Sequence, residues 1–239
     1  MTHHQSGFII VLLVIASGAL AGALTGIIHT KLKINALLAG ILVMTALYSI
    51  NLTILGRSNL PLLGLSGLFS SLKLLANGNQ NSLIISLLFV IALTLIIGYI
   101  LKTDFGIAMR ATGNSEAMVR ALGVNTDRMK IIGLAIANAL TALSGYLVAQ
   151  QQGFADISMG IGIVIIGLGS VIIGETLINW LQVTSVWLSL VLVLTGAIIF
   201  QLILAFTLSI GVDANLLKLV TAVLVLVIVG LPRLSNRTT

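Results

Sequence analysis

The 239-residue chain is 58% hydrophobic and only 8% charged, whereas soluble domains carry about 25% charged residues. A soluble fold of this length could not bury so much apolar surface, so lipid must solvate much of it, in agreement with a mean hydropathy of +1.19. The net charge of +6 does not indicate nucleic-acid binding, because no basic and aromatic surface pattern is present, and the lack of cysteine excludes disulfides and thiolate metal sites.

Seven segments are long and apolar enough to predict membrane-spanning helices, each of which needs about 20 residues. The chain is therefore predicted to be an all-α polytopic membrane protein with a single transmembrane domain over residues 1–239. In chain order the segments are Gly7–Ile28, Ile34–Gly56, Ser82–Leu101, Ile131–Gln150, Ser158–Leu177, Thr184–Phe206 and Ala214–Leu231.

The first predicted span carries a stripe of small residues. Gly18, Gly22 and Gly26 recur at four-residue spacing, which places them on one helix face. Small residues let two membrane helices approach closely, so we expect this face to pack against another helix. A direct place in the substrate path is the alternative.

A polar segment, residues 102–130, interrupts the apolar chain with the sequence KTDFGIAMRATGNSEAMVRALGVNTDRMK. It holds five of the twelve Lys and Arg residues and three of the six Asp and Glu residues. Such a concentration of charge in one loop of a membrane protein indicates a surface offered to the aqueous phase. The residues alone allow either a docking element for a partner protein or an interfacial helix lying on lipid.

Local signals within this segment predict a short helix over residues 115–122. Thr112 or Asn114 is expected to cap its start, with Glu116 in the first turn. Gly123 suits the left-handed conformation that ends a helix, and Asn125 or Thr126 is then expected to cap the helix that continues into the fourth span. Apolar anchors are offered by Met118, Val119 and Leu122.

The fifth predicted span is rich in glycine, which weakens a helix by up to about 1 kcal/mol per residue relative to alanine. Irregular backbone is tolerated in lipid only against protein or a water-filled cavity, so this span is expected to be buried and is predicted to be broken or re-entrant. Polar side chains precede it at the outer face. The candidate substrate-path residues are Asn138, Ser144, Gln150, Asp156, Gly160, Gly162 and Gly167.

The basic residues of the loops predict the orientation. With seven spans, the loop after the first span, residues 102–130 and the carboxyl-terminal tail share one side and hold nine of the twelve Lys and Arg residues. This side, including the carboxyl terminus, is expected to be cytoplasmic, because cytoplasmic loops are enriched in Lys and Arg. The amino terminus is then external, which favours a chain lacking upstream membrane segments over an amino-terminal tail that crosses by itself.

A weak internal repeat also relates residues 19–42 to residues 142–165. Each consists of a small-residue helix, a short polar turn and a glycine-bearing apolar segment. In the predicted orientation the two copies have opposite topology, an arrangement typical of transporters.

The chain carries no sequence signal for catalysis. Its three histidines are too scattered for a metal site, no phosphate-binding Gly-x-x-x-x-Gly-Lys sequence is present, and no cofactor is predicted. The middle of every predicted span lacks Asp, Glu, Lys and Arg, which argues against a proton-coupled carrier. If ATP drives transport, a separate chain must hydrolyse it.

Two stretches resemble a known family: residues 106–175, which begin GIAMRATGNSEAMVRALG, and residues 18–63, which begin GALAGALTGIIHTKLKINALLAG. They are similar to permease subunits of bacterial ATP-binding cassette (ABC) importers of the branched-chain amino acid and ribose type. The nearest subgroup is found with tryptophan- or tyrosine-type binding lipoproteins. The resemblance implies an inner-membrane permease that pairs with an ATPase subunit and a periplasmic or lipid-anchored binding protein, and that forms a homodimer surrounded by membrane lipid.

The resemblance also implies that residues 102–130 contain a coupling helix that enters a groove of the ATPase subunit. Permeases of this type usually begin with an extra membrane segment or two before the glycine-rich span, and we expect this chain to lack them. A stand-alone carrier or channel and a truncated, non-transporting subunit therefore stay open as alternatives. The implied coupling positions are Arg110, Ala111, Glu116, Ala117, Arg120, Leu122 and Gly123.

Overall fold

The computed structural model describes residues 7–62, 78–160, 163–211, 216 and 219–226. Helices dominate these ranges, and residues 219–226 are helical as well. Two short strands, β1 (Asn59–Pro61) and β2 (Phe154–Asp156), and a 3-10 turn (Ile157–Gly160) lie between helices. The helices are α1 (Gly7–Lys31), α2 (Ala36–Leu55), α3 (Gly78–Lys102), α4 (Asp104–Asn114), α5 (Glu116–Ala121), α6 (Thr126–Gln152), α7 (Ile163–Trp180) and α8 (Val186–Ser209).

The predicted class of all-α polytopic membrane protein is confirmed. Six helical segments among the described residues are long and apolar enough to cross a membrane, and they coincide with the first six predicted spans. Half of the seventh, Ala214–Leu231, lies outside the described residues. The glycine-rich fifth span consists of the 3-10 turn and α7, and α7 is continuous from Ile163 to Trp180.

The chain forms two compact units, Met1–Ser158 and Met159–Thr239. In the first unit, α1 packs antiparallel against α6 along the predicted glycine stripe. A Cβ atom added at Gly18 would lie 2.6 Å from Ala142 Cβ, and one added at Gly26 would lie 2.7 Å from Ile131 Cα. The two backbones therefore approach each other too closely for any side chain at these positions. Between them, Gly22 faces Leu134 and Ala135 in the same manner.

The segments after α2 and after α6 pair with each other. Each of these helices ends at a glycine with positive φ, Gly56 (66°) and Gly153 (76°), as expected for left-handed helix ends. Strands β1 and β2 then form an antiparallel ladder in which Asn59 lies opposite Asp156. The sequence analysis predicts no strand here, because runs of three residues carry no periodic signal.

The second unit contains the α7–α8 hairpin. A Cβ added at Gly174 of α7 would lie 2.7 Å from Val193 Cα, and one added at Gly196 of α8 would lie 2.6 Å from the Gly174 backbone nitrogen. Close backbone contact thus joins these helices too, and Phe200 is fully buried nearby against Gly169. The glycines of the fifth span therefore serve close packing within this hairpin at Gly169 and Gly174.

A sharp corner at Thr103 leads from α3 into the polar segment. The Thr103 hydroxyl donates to the Ile100 carbonyl at 2.6 Å and accepts from the Gly106 N–H at 3.3 Å, which caps α4. Gly106 sits directly on the backbone of Leu101, where a side chain would not fit. The polar segment thus contains two helices, α4 and α5, before α6 begins, whereas the sequence analysis predicts only one.

Candidate functional site in the polar segment

Helix α5 is a short helix with a well-formed end. The Val124 N–H donates to the Val119 carbonyl at 3.3 Å and the Gly123 N–H donates to the Arg120 carbonyl at 3.0 Å. This pattern, with Gly123 at φ 85°, is the Schellman arrangement, so the prediction that Gly123 ends the helix in a left-handed conformation is confirmed. The start of α5 differs from the prediction.

Ser115 is the residue that precedes α5, and its side chain makes no capping hydrogen bond. The predicted caps, Thr112 and Asn114, belong instead to the last turn of α4, and the buried Thr112 hydroxyl donates to the Ala108 carbonyl. Both were predicted as caps because Thr and Asn favour that position, but they continue the preceding helix. Asn125, one of the two predicted caps for the next helix, does accept from the Arg128 N–H at 3.0 Å.

The apolar residues of α5 face in two directions. Val119 is 4% exposed and anchors the helix to the rest of the first unit. Met118 and Leu122 are 65% and 72% exposed, and their four-residue spacing puts them on one helix face. Val119 is therefore unavailable to a partner, while Met118 and Leu122 form a small apolar patch on the outside.

Glu116 joins α5 to the start of α6. Its Oε1 atom accepts from Arg120 at 2.8 Å and from Thr126 Oγ1 at 3.3 Å, and its Oε2 atom accepts from Lys130 Nζ at 2.5 Å. Arg120 also donates to Thr126 Oγ1 at 3.0 Å and lies 3.6 Å from Asp127. We call these five residues the Glu116 network. They link α5 to the start of α6 through Thr126, which is only 2% exposed.

The network lowers the pKa of the Glu116 carboxyl. The hydrogen bond from Lys130 is the main cause that lowers its carboxyl pKa. Desolvation, the second-largest effect, opposes it, and the charge of Lys130, the Thr126 hydroxyl and the charge of Arg120 lower the pKa further. Since the folded pKa lies below the unfolded one, the stabilising contribution is present above the ordinary value of 4.5 and is lost as the pH falls below it.

The remaining implied coupling positions lie around this helix. Arg110 is exposed on α4 and Ala111 beside it is half-buried. Ala117, Arg120, Leu122 and Gly123 are exposed, whereas Glu116 is half-buried because its carboxylate points into the network.

The candidate substrate-path residues of the first unit do not share one face. Asn138 donates to the Leu134 carbonyl on the side of α6 that meets α1, while Ser144 is exposed elsewhere on α6. Gln150 donates to the Tyr146 hydroxyl at 2.9 Å. Asp156, at the end of β2, accepts from the Ser158 N–H at 2.6 Å.

In the second unit, Gly160 ends the 3-10 turn, and a Cβ at Gly167 of α7 would meet no atom within 4 Å. Gly162 lies outside the described residues.

Two members of the Glu116 network were not predicted from the sequence as partners of Glu116. Thr126 and Lys130 lie 10 and 14 residues from Glu116, and no local periodicity connects residues at those separations. Only the fold, which turns the chain between α5 and α6, brings them to the same carboxylate. Glu116 and Arg120 form an ion pair one helical turn apart.

Comparison with known families identifies the class of this protein. Residues 2–229 match the family described as "Branched-chain amino acid transport system / permease component". The chain belongs to this permease family. It is a multi-pass membrane permease component of an ABC-type transport system.

Individual relatives agree with this assignment. The tyrosine transport system permease protein of Clostridioides difficile is 38% identical over 229 residues, which are 95% of this chain and 73% of the relative. An uncharacterised protein of Rickettsia prowazekii is 32% identical, over 89% of this chain and 75% of its own length. The ribose import permease protein of Haemophilus influenzae is 28% identical, over 64% of this chain and 48% of the relative. No solved structure matches the chain.

Proposed function

We propose that this permease imports an amino acid, of the aromatic type, and is driven by a separate ATPase subunit that docks on the polar segment. We call the proposed docking area the coupling surface. It consists of the exposed residues Arg110, Ala117, Met118, Arg120, Leu122 and Gly123.

This proposal rests on one observation: an exposed apolar patch lies on a short helix, α5, that internal contacts hold in place. A helix of only six residues is not stable by itself in water, because helix nucleation is costly. Here α5 is held by buried Val119, by the glycine-ended turn and by the Glu116 network. This bracing presents Met118 and Leu122 outward in a fixed geometry, which suits insertion into a groove of another protein.

Charge supports a protein partner in the cytoplasm. The acidic groups Glu116 and Asp127 are engaged with Arg120 and Lys130 inside the Glu116 network. Exposed Arg110 and Arg128 make no ion pair with any residue that the structure describes, so the outward charge of this region is positive. We therefore infer that the ATPase groove has an apolar floor and an acidic rim, and that this face is cytoplasmic, as the loop charges predict.

The proposed substrate rests on the relatives and on the composition of the spans. The 38% identical relative is named for tyrosine transport. Because no charged residue occupies the middle of a predicted span, neutral polar groups such as Ser144 and the backbone must contact the solute in the membrane. A zwitterionic amino acid delivered by a periplasmic or lipid-anchored binding protein to a homodimeric permease suits such a path.

The test uses the permease reconstituted in proteoliposomes with its ATPase subunit and binding protein. Leu122→Ala should sharply reduce ATPase association and tyrosine uptake, because it removes an exposed apolar side chain from the coupling surface. Leu32→Ala is the matched control, since Leu32 is 65% exposed and lies outside that surface. Equal effects of the two changes would contradict the docking role. Uptake that needs no ATP would instead favour a stand-alone carrier.

A further inference from the structure

A polar cavity lies beside the Glu116 network, on the side away from the coupling surface's apolar patch. Its volume is about 320 Å³, and its walls come from the end of α1, the α1–α2 turn, α5 and the start of α6. The charged and titratable side chains that line it are His29, Lys33, Glu116, Arg120, Asp127 and Lys130.

The lining carries three cations, Lys33, Arg120 and Lys130, against two carboxylates, and some of its hydrogen-bond donors are unused. Both oxygens of Glu116 accept hydrogen bonds, and Asp127 lies beside Arg120. Arg120 donates through Nε and one terminal nitrogen, which leaves its other terminal nitrogen unused within the described residues. Lys130 uses one of its three donors on Glu116. A ligand that satisfies these unused donors of Arg120 and Lys130 must supply acceptors.

Lys33 is the clearest unused cation. Among the residues that the structure describes, it makes no ion pair or hydrogen bond, although it lines the cavity. Its backbone has a φ of 53°, which is unfavourable for a residue with a side chain. The turn is held by His29, whose Nδ1 atom donates to the Ile34 carbonyl at 2.7 Å. A strained turn that holds a free cation over a cavity is typical of a binding site.

The cavity lies where the apolar part of α1 ends and the apolar part of α6 begins. His29 directly follows the apolar end of α1 at Ile28, and Lys130 directly precedes Ile131 of α6. From these boundaries of the apolar segments we infer that the cavity lies at the headgroup layer of the membrane. Basic pockets between membrane helices on the cytoplasmic side are known to bind anionic lipid headgroups.

We propose that this cavity binds the phosphate of an anionic phospholipid headgroup, with Lys33 as its principal ligand and Arg120 and Lys130 as additional donors. The permease alone suffices for this binding, so the proposal does not rest on the ATPase coupling described above. Because Arg120 also belongs to α5, a bound headgroup would contact the helix that carries the coupling surface.

The experiment titrates purified, detergent-solubilised permease with phosphatidylglycerol or phosphatidylcholine and counts bound lipids by native mass spectrometry. The wild-type protein should prefer phosphatidylglycerol. Lys33→Gln should weaken its binding about fivefold, the effect expected for one basic side chain near a lipid surface. Lys33→Arg should retain it. Lys31→Gln is the matched control, because Lys31 has the same charge at the same helix end but does not line the cavity.

Three results would overturn the proposal. Equal weakening by Lys31→Gln and Lys33→Gln would show a general charge effect rather than a site. Displacement of phosphatidylglycerol by millimolar inorganic phosphate, with the same dependence on Lys33, would assign the cavity to free phosphate. If Lys33→Gln left lipid binding unchanged and weakened only ATPase association, the cavity would receive an acidic side chain of the partner. Retained helical circular dichroism and gel-filtration behaviour would confirm that each variant is folded.

Discussion

The close packing of α1 on α6 can be tested by a single methyl group. In Gly22→Ala the new Cβ would lie 2.8 Å from Ala135 Cα, well inside van der Waals contact, and the atoms it meets are backbone atoms that no side-chain rotation can move. The two helices must therefore separate locally. Overpacking of this kind costs about 1–3 kcal/mol, whereas replacing glycine by alanine within a helix contributes at most about 1 kcal/mol in the opposite direction.

We therefore expect Gly22→Ala to lower the free energy of unfolding by about 1–2 kcal/mol, the overpacking cost less the gain in helix propensity. The matched control is Gly40→Ala in α2, where an added Cβ meets no atom within 4 Å. At Gly40 only the gain in helix propensity applies, without an overpacking cost, so the control should be neutral or slightly stabilising.

The assay is reversible denaturation of both variants in the same detergent, followed by circular dichroism and by size-exclusion chromatography of the folded fraction. Gly22→Ala should be less stable than the wild type, and Gly40→Ala should be at least as stable as the wild type. If Gly22→Ala were as stable as Gly40→Ala, the backbone contact between α1 and α6 would not exist in the folded protein.

Two further predictions concern the polar segment. Gly123→Val places a β-branched residue at a φ of 85°, where no neighbouring atom would clash with it, so the expected cost is backbone strain of about 1–2 kcal/mol. This variant should still insert into the membrane, but stimulated ATP hydrolysis in the reconstituted complex should fall. Gly123→Asn, which tolerates this conformation, should retain most activity; equal loss in both variants would point to a cause other than backbone strain. For Glu116, the lowered carboxyl pKa predicts wild-type thermal stability that is constant at neutral pH and falls below about pH 4.5, and Glu116→Gln should reduce this acid-induced loss. If wild type and Glu116→Gln had the same dependence of melting temperature on pH, the network would not contribute to stability as proposed.

Glu116 is a poor position at which to test docking of the ATPase subunit, because its carboxylate makes internal contacts. The family resemblance implies that the Glu116 carboxylate is available to the ATPase, but in the folded chain this carboxylate contacts Arg120, Thr126 and Lys130. A charge reversal at this position would place a third cation beside Arg120 and Lys130 and displace α5 itself. Exposed Leu122 is a better position for testing docking, because its side chain can be shortened without disturbing the internal contacts.

Features that depend on local chemistry could be predicted from the sequence. Long apolar segments predict the spans because lipid demands a continuous hydrogen-bonded helix, and six are found among the described residues. The left-handed turn at Gly123 and the cap at Asn125 follow from the conformational and hydrogen-bonding preferences of single residues. The division of α5 into an inner and an outer face was not predictable, since Met118, Val119 and Leu122 are all apolar.

By itself, the sequence determined the membrane class, the polar segment and the glycine face of α1, because each is a pattern repeated within a few residues. Only the tertiary structure decided that this face meets α6, that β1 pairs with β2, and that Lys33 shares a cavity with Arg120 and Lys130. Periodicity states which side of a helix is small, apolar or charged. It carries no information about which distant segment covers that side, since that choice depends on how the shapes and charges of the folded elements fit together.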